Sequence, residues 1–334
     1  MEDLVRIARG GVLLTGWAYA AGWPRGRLRR RLPAEGWQPI CRGAWAAPGK
    51  EVDWKVRATA IQLLRPELIC SHATAAAVLR IERMGEGWGE SWGGGGGRGG
   101  GWGGGWGGEG GGGGELEVLD FTAEHPASSR RGDGLRVHST AFLADRDRVM
   151  RRGLRVTGPA RTVGDLIRNC GTREEAVVVA DSALSRRTVR GVRREALVLH
   201  ADLVAELAAP RRGATRARAW LRLADAASGS PAETVARLRM HDADLYPESQ
   251  PLLHTRSGRA LRPDFLFRAA GLAVEVEGFA FHGTRQAHDR DVRRYNELTD
   301  CPAVHRVLRF TARDVFQRPE RMIATIRGAL GHLG

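Results

Sequence analysis

The stretch LRPDFLFRAAGLAVEVE, residues 261–277, holds two β-type runs (261–267 and 272–277) on either side of Arg268-Ala269-Ala270-Gly271, a connection of hairpin length ending in glycine. Facing Phe267 against Leu272 sets Asp264 opposite Glu275 and Arg262 opposite Glu277. A period of two then gathers Phe265, Phe267, Leu272, Val274 and Val276 on one face and Arg262, Asp264, Glu275 and Glu277 on the other. One face packs and the other carries charge. Opposed residues of an antiparallel pair stand about 5 Å apart, where like charges repel by roughly 3 kcal/mol at an effective dielectric near 20. A divalent cation, a shared proton or nearby arginine has to offset that, and clustered carboxylate oxygens are what hard Mg²⁺ prefers. The ordinary alternative is a solvated acidic face partly neutralised by Arg262.

Upstream, Ser230-Pro231-Ala232-Glu233 opens a helical stretch with Ser as N-cap and Pro just inside, which puts Glu233 in a first turn. The helix dipole alone also favours an acid there. Downstream come Gly278, His282, a charged helical run over residues 288–294, a strand over 305–310 and a closing helix over about 319–330. The order is helix, hairpin, helix, strand, helix.

That order, with SPAET (Glu233), RPDF (Asp264), AVEVEGFAFHG (Glu275, Glu277, His282), HDRDVRRYNEL and HRVLRF (Arg309), resembles the PD-(D/E)xK nuclease superfamily, specifically its compact branch similar to very-short-patch-repair endonucleases. The match spans about residues 228–330. The resemblance implies that Glu233, Asp264 and Glu275 bind or position Mg²⁺, for which Mn²⁺ can substitute, and that the ion activates water for attack on a phosphodiester. Glu277 departs from the superfamily pattern, which usually has Lys at that spacing, although this branch commonly carries an acid there. His282, Arg290 and Arg309 are the candidates to orient water or stabilise phosphate charge, His282 first because neutral imidazole acts as a base near pH 7. Arg290, Arg294 and Arg309 are the expected DNA contacts of this domain.

Near the N-terminus, a short helix over residues 3–8 precedes Thr15, an expected N-cap for a helix through Ala20; Gly22-Trp23-Pro24 makes a turn. RGRLRRRL, residues 25–32, then forms a basic helix in which Leu28 and Leu32 pack inward while Arg25, Arg27, Arg29, Arg30 and Arg31 face out. Residues 37–41 and 44–47, joined at Arg42-Gly43, make a wing hairpin. A winged helix-turn-helix is the expectation for residues 1–50, and the segment resembles the N-terminal domain of AbiEi-like type IV antitoxins, which implies DNA binding and autoregulation.

The formal charge of +14 suits a polyanionic partner, DNA first. Cys41, Cys70, Cys170 and Cys301 are scattered without zinc or disulfide spacing, so a reducing cytoplasm is the expected location. No apolar run approaches the roughly 18 residues that cross a bilayer, which excludes a membrane partner at this stage. Residues 51–227 are expected to form a mostly helical middle domain, with His72, Arg161, Asp165 and Asp181 as caps and buried ion pairs. Within it, residues 86–115 form a glycine run carrying Trp88, Trp92, Trp102 and Trp106. With almost no aliphatic side chains to offset chain entropy, that run reads as a disordered insertion.

The whole is expected to be a multidomain α+β or α/β protein: a winged helix, the middle domain, and a restriction-endonuclease-like α/β domain over residues 228–334. The leading functional expectation is a Mg²⁺-dependent DNA endonuclease docked by its winged helix, with a toxin or defence-system partner. A non-catalytic DNA-binding regulator, antitoxin-like and with a degenerate nuclease domain, is the alternative; an RNA-directed nuclease is a third.

Overall fold

Leu4, Leu13, Ala18, Trp23, Leu28, Leu32 and Trp37 are buried in one cluster, a small core that ties three short helices to a three-stranded sheet. The elements run α1 (Leu4–Ile7), β1 (Val12–Leu14), α2 (Thr15–Ala20), α3 (Arg25–Ala34), β2 (Gln38–Cys41) and β3 (Ala44–Ala46). β3 lies between β1 and β2 and is antiparallel to both. Gly22 (φ +84°) and Gly43 (φ +91°) make the two reversals in a region closed to most side chains. Thr15 is the first helical residue rather than the cap, because Leu14 holds the cap position and the Thr15 hydroxyl turns to Gly43 O at 3.4 Å.

The computed structural model describes residues 3–84, 116–124, 134–277 and 285–332, the side chains of 285–291 excepted. Two compact units emerge, residues 1–80 with 85–162 and residues 81–84 with 163–334, so segment 51–227 is shared between them. The first unit continues with α4 (Trp54–Leu64), β4 (Ile69–Cys70), α5 (His72–Leu79), β5 (Leu119–Glu124), β6 (Leu135–Thr140), β7 (Arg148–Arg151) and β8 (Leu154–Thr157). These strands form one sheet in the order β6-β5-β4-β8-β7, so the middle segment, rich in helices as expected, also carries a five-stranded sheet. Alternation failed as a signal there because the sheet buries polar side chains: Asp120 and Thr122 are inside, and Asp120 accepts from His138 Nε2 at 2.8 Å. His72 is a buried residue at φ +45° whose ring stacks on His138 at 3.7 Å, not a cap. The glycine and tryptophan run of residues 86–115 lies outside the described residues.

α6 (Pro159–Asn169) spans the unit boundary. The second unit carries α7 (Arg173–Leu184), the hairpin β9 (Arg187–Val189) and β10 (Val192–Arg194), α8 (His200–Ala208), α9 (Ala214–Leu221) and α10 (Pro231–Asp242). There follow β11 (Glu248–Ser249), β12 (Leu253–His254), β13 (Ala260–Leu261), β14 (Phe265–Phe267), β15 (Leu272–Glu277), α11 (Arg285–Thr299), β16 (Arg306–Thr311), α12 (Ala312–Gln317) and α13 (Pro319–Gly331). The main sheet has the order β11-β14-β15-β16. β15 is antiparallel to β14 in the expected register, Phe267 to Leu272 and Phe265 to Val274, and parallel to β16, a pairing that α11 makes possible as the crossover. Gly271, at φ +59°, closes the hairpin where a Cβ would stand 2.6 Å from the His305 ring.

The run 261–267 is not one strand. Leu261 pairs with Leu253 in a separate ribbon, and the main sheet resumes at Phe265. Pro263 has no N–H to give a ladder, and the Asp264 carboxylate takes the Val276 N–H at 2.8 Å. The two faces also sort differently from expectation. Phe265, Leu272, Val274 and Val276 do pack into the main core, against Val235, Ala236 and Met240 of α10 and Met322 and Ile326 of α13. The opposite face, however, buries Leu266 and Ala273 against Leu253, Cys301 and Val304, leaving charge only at its end. Both faces of this sheet are covered, as pairing with a parallel strand favours. Among the described residues no helix is long and apolar enough to cross a membrane.

Candidate functional site

The N-cap of α10 delivers the first acid. Ser230 Oγ accepts from Glu233 N at 3.2 Å, Pro231 opens the helix, and the Glu233 side chain folds back so that Oε2 accepts from Gly229 N at 2.8 Å. A Cβ on Gly229 would come within 3.1 Å of Glu233 Oε1, so glycine makes the room. Asp264, just before β14, has Oδ2 on Val276 N at 2.8 Å and Oδ1 facing Gln250. The Gln250 amide donates through Nε2 to Glu233 Oε2 and to Asp264 Oδ1, each at 2.9 Å. Both carboxyls are buried, at 7% and 8% exposure. Two acids distant in sequence thus meet on one amide.

The electrostatics follow from that burial. Loss of water raises the Glu233 carboxyl above its ordinary range, against the hydrogen bonds that favour its charge. Asp264 is raised well above the usual carboxylate range, first by burial and then by the charges of Glu233 and Glu275. The groups that donate to the two acids, Gly229 N, Val276 N and the Gln250 amide, are neutral.

Glu275 and Glu277, two apart on β15, are half-buried and each faces an arginine. Glu275 receives Arg294 of α11 through Nε at 3.1 Å and Nη2 at 3.2 Å, and Arg294 also reaches Arg262 O at 2.8 Å. Glu277 is ion-paired with Arg309 of β16 at 2.5 Å, and Arg309 lies over the Tyr295 ring at 5.9 Å. Arg262, expected on this charged face, instead donates to Gln250 O at 2.8 Å. His282 lies outside the described residues, and Arg290 sits on α11 with its side chain outside them.

Glu233, Asp264 and Glu275 present oxygen atoms alone, the donor chemistry that hard divalent cations take. Among the described residues no group of three or more His, Cys, Asp and Glu side chains stands ready around a metal position, and Glu275 is ion-paired with Arg294. The donor set fits Mg²⁺ in chemistry, with two buried carboxylates in hand and a third beside them. Asp264→Asn tests their mutual repulsion. In EDTA the variant keeps an acceptor for Val276 N–H and loses one of two adjacent buried charges but turns its Nδ2 toward the Gln250 donor. Relief of roughly 3 kcal/mol of repulsion less about 1–2 kcal/mol for that hydrogen bond leaves a gain of about 1–2 kcal/mol in urea or thermal unfolding. A loss of stability of that size would show that Asp264 is a structural acid.

Gln250 carried no signal in the sequence; its place depends on a two-pair contact between β11 and β14. The basic helix α3 is legible in full. Leu28 and Leu32 are buried while Arg25, Arg27, Arg29 and Arg30 are exposed. Arg31 differs: it is partly buried, ion-paired with Glu35 and placed over Trp23 at 4.9 Å.

No protein-family model matches the chain. Two Mycobacterium tuberculosis proteins, uncharacterized protein Rv2248 of strain H37Rv and uncharacterized protein MT2308 of strain CDC 1551, are each 33% identical over 199 residues, 58% of this chain and 70% of theirs. The chain belongs to the same family as these mycobacterial proteins. The crystal structure of the RV2827C protein from Mycobacterium tuberculosis is similar at a TM-score of 0.40 and 18% identity, over 74% of this chain and 80% of that one.

Proposed function

We propose that this protein is a Mg²⁺-dependent DNA endonuclease that hydrolyses phosphodiester bonds and is docked on duplex DNA by a winged helix at its N-terminus. The observation that carries the reading is the buried pair Glu233 and Asp264, held on one neutral amide beside Glu275, with both carboxyls displaced upward. Repulsive acids gathered out of water are costly to a fold, and a divalent cation is the partner that turns the cost into a binding site. The sheet supports the same reading: it has an acid at the head of one strand, two acids alternating on the next and a parallel third strand, with Glu233 brought by a helix earlier in the chain, which are features the resemblance to PD-(D/E)xK nucleases implies.

In this reading Glu233 and Asp264 hold the ion, with Glu275 adjacent. A Mg²⁺ ion held by these residues would supply activation of a water and charge neutralisation at the scissile phosphate. Arg294 and Arg309 are the cations at hand for the DNA backbone, because a phosphate can compete for the guanidinium forks that Glu275 and Glu277 now occupy. Incubation of the purified protein with supercoiled, linear and mismatched DNA in Mg²⁺, Mn²⁺ or EDTA should give cutting that EDTA stops. DNA binding without metal-dependent cutting of any substrate would establish the second reading, an antitoxin-like regulator with a degenerate site. The closed pairs Glu275 with Arg294 and Glu277 with Arg309 favour that alternative, since Glu277 stands where the superfamily usually has Lys.

What supports the docking element is the order α1-β1-α2-α3-β2-β3 with β3 central, the order expected of a winged helix, together with the exposed arginines of α3. If Arg27, Arg29 and Arg30 meet phosphates, replacing all three with Gln should reduce the slope of log affinity against log salt by about 2.7, at roughly 0.9 per contact. Fluorescence anisotropy of labelled duplex from low to moderate salt reads that slope directly. An unchanged slope would remove α3 from the DNA interface.

A further inference from the structure

We infer that Gln250 is a ligand of the acidic site, its amide N–H₂ bridging the two acids when no ion is bound and its carbonyl oxygen facing the ion when one is. The inference rests on the cation-site reading above and extends it to a residue outside the motif. Gln250 Nε2 lies 2.9 Å from Glu233 Oε2 and 2.9 Å from Asp264 Oδ1. In an octahedral Mg²⁺ site with bonds of 2.0–2.1 Å, neighbouring ligand atoms are about 2.9 Å apart. The amide tip therefore stands at a ligand's separation from both acids. Facing two acceptors with no cation between them, the tip has to be the N–H end; a half-turn about the terminal side-chain bond puts Oε1 at nearly the same point.

The backbone holds this side chain in place against its own preference. Gln250 adopts φ +49°, left-handed for a residue with a Cβ, and is pinned by its N–H on Asp264 O at 2.9 Å and its carbonyl under Arg262 at 2.8 Å. A mere spacer would not need to share a backbone hydrogen bond with the very acid its side chain meets. Charge also balances: Glu233 and Asp264 neutralise a divalent cation, and a neutral amide adds a third oxygen without the repulsion a third carboxylate brings.

The test is Mn²⁺ binding to the full chain by isothermal titration, with Mg²⁺ competition, for the wild type, Asp264→Ala, Gln250→Ala and Gln250→Glu. Expected are one site in the wild type, none in Asp264→Ala, affinity weakened at least about tenfold in Gln250→Ala, and binding as tight as wild type or tighter in Gln250→Glu. No wild-type binding, or binding that survives Asp264→Ala, would overturn the cation site itself. Wild-type binding lost in Asp264→Ala but equal in Gln250→Ala would overturn the role of Gln250 alone and leave the site standing. A metal-free thermal scan shows whether each variant is folded. If Gln250→Ala is not, Gln250→Glu decides, because weakening of tenfold or more in a folded variant with an added ligand oxygen contradicts ligation.

Discussion

Asp264→Ala and Glu233→Ala should each lower metal-dependent DNA cleavage by about a thousandfold. A bound divalent cation contributes several kcal/mol to phosphodiester hydrolysis, and each 1.4 kcal/mol or so is tenfold in rate. Glu233 and Asp264 are the two acids buried together on the Gln250 amide, whereas Glu275 and Glu277 each face an arginine in the DNA-free protein. The stability side separates function from folding. Asp264→Asn is expected to be more stable than wild type in EDTA and yet equally inactive, the pattern of a residue kept for activity at the expense of the fold. Single-turnover cleavage of plasmid DNA beside a thermal scan of the same preparations measures both. Activity persisting at more than a tenth of wild type in folded Asp264→Ala and Glu233→Ala would assign the cutting to another site or another protein.

How far the sequence exposed this site depended on distance along the chain. The β14–β15 register follows from Phe267, Gly271 and Leu272 within one hairpin, and the start of α10 from Ser230 and Pro231, so Glu233, Asp264, Glu275 and Glu277 could all be nominated. Their partners could not. Arg309 meets Glu277 across the parallel pairing of β15 with β16, which is set through a crossover rather than a turn. Gln250 is brought in by β11, a strand of two residues with no periodicity to read. The break at residues 262–264 was hidden for a different reason: LRPDFLF reads as one β-type run, but an Asp side chain takes over a backbone position in the ladder. In the first unit the same rule holds. α3 declares itself through Leu28 and Leu32, whereas the five-stranded sheet buries Asp120 and Thr122 where an apolar pattern was sought.

The second large effect concerns the scaffold behind the acids. Asp181→Ala should destabilise the second unit by about 3–5 kcal/mol, the range for removing one partner of a buried ion pair. Asp181, on α7, is fully buried and accepts from Arg237 Nη2 at 2.9 Å, Thr234 Oγ1 at 2.8 Å and Asp225 N at 2.6 Å. Arg237 and Thr234 belong to α10, the helix that presents Glu233, so this network fixes one helix against the other. Without the carboxylate, the Arg237 charge stays buried with Asp225 Oδ2 3.7 Å away, Asp225 N loses this acceptor, and Thr234 Oγ1 is left with Ser230 O at 3.3 Å. Burial outweighs Arg237 and pushes the Asp181 carboxyl up, so its own contribution to stability falls as pH rises through the folded value. Asp242 runs the other way: Arg173 grips it at 2.7 Å through both oxygens and holds it low, so that contribution is present above its unfolded value and fades in acid. The decisive control for Asp181 is the double variant Asp181→Leu with Arg237→Met. If the network's worth lies in not leaving a charge alone, the double variant should unfold closer to wild type than Asp181→Ala in urea titrations. If instead both unfold alike, or if Asp181→Ala costs under 1 kcal/mol or so, α10 is held by its apolar face and the buried pair is incidental to the placement of Glu233.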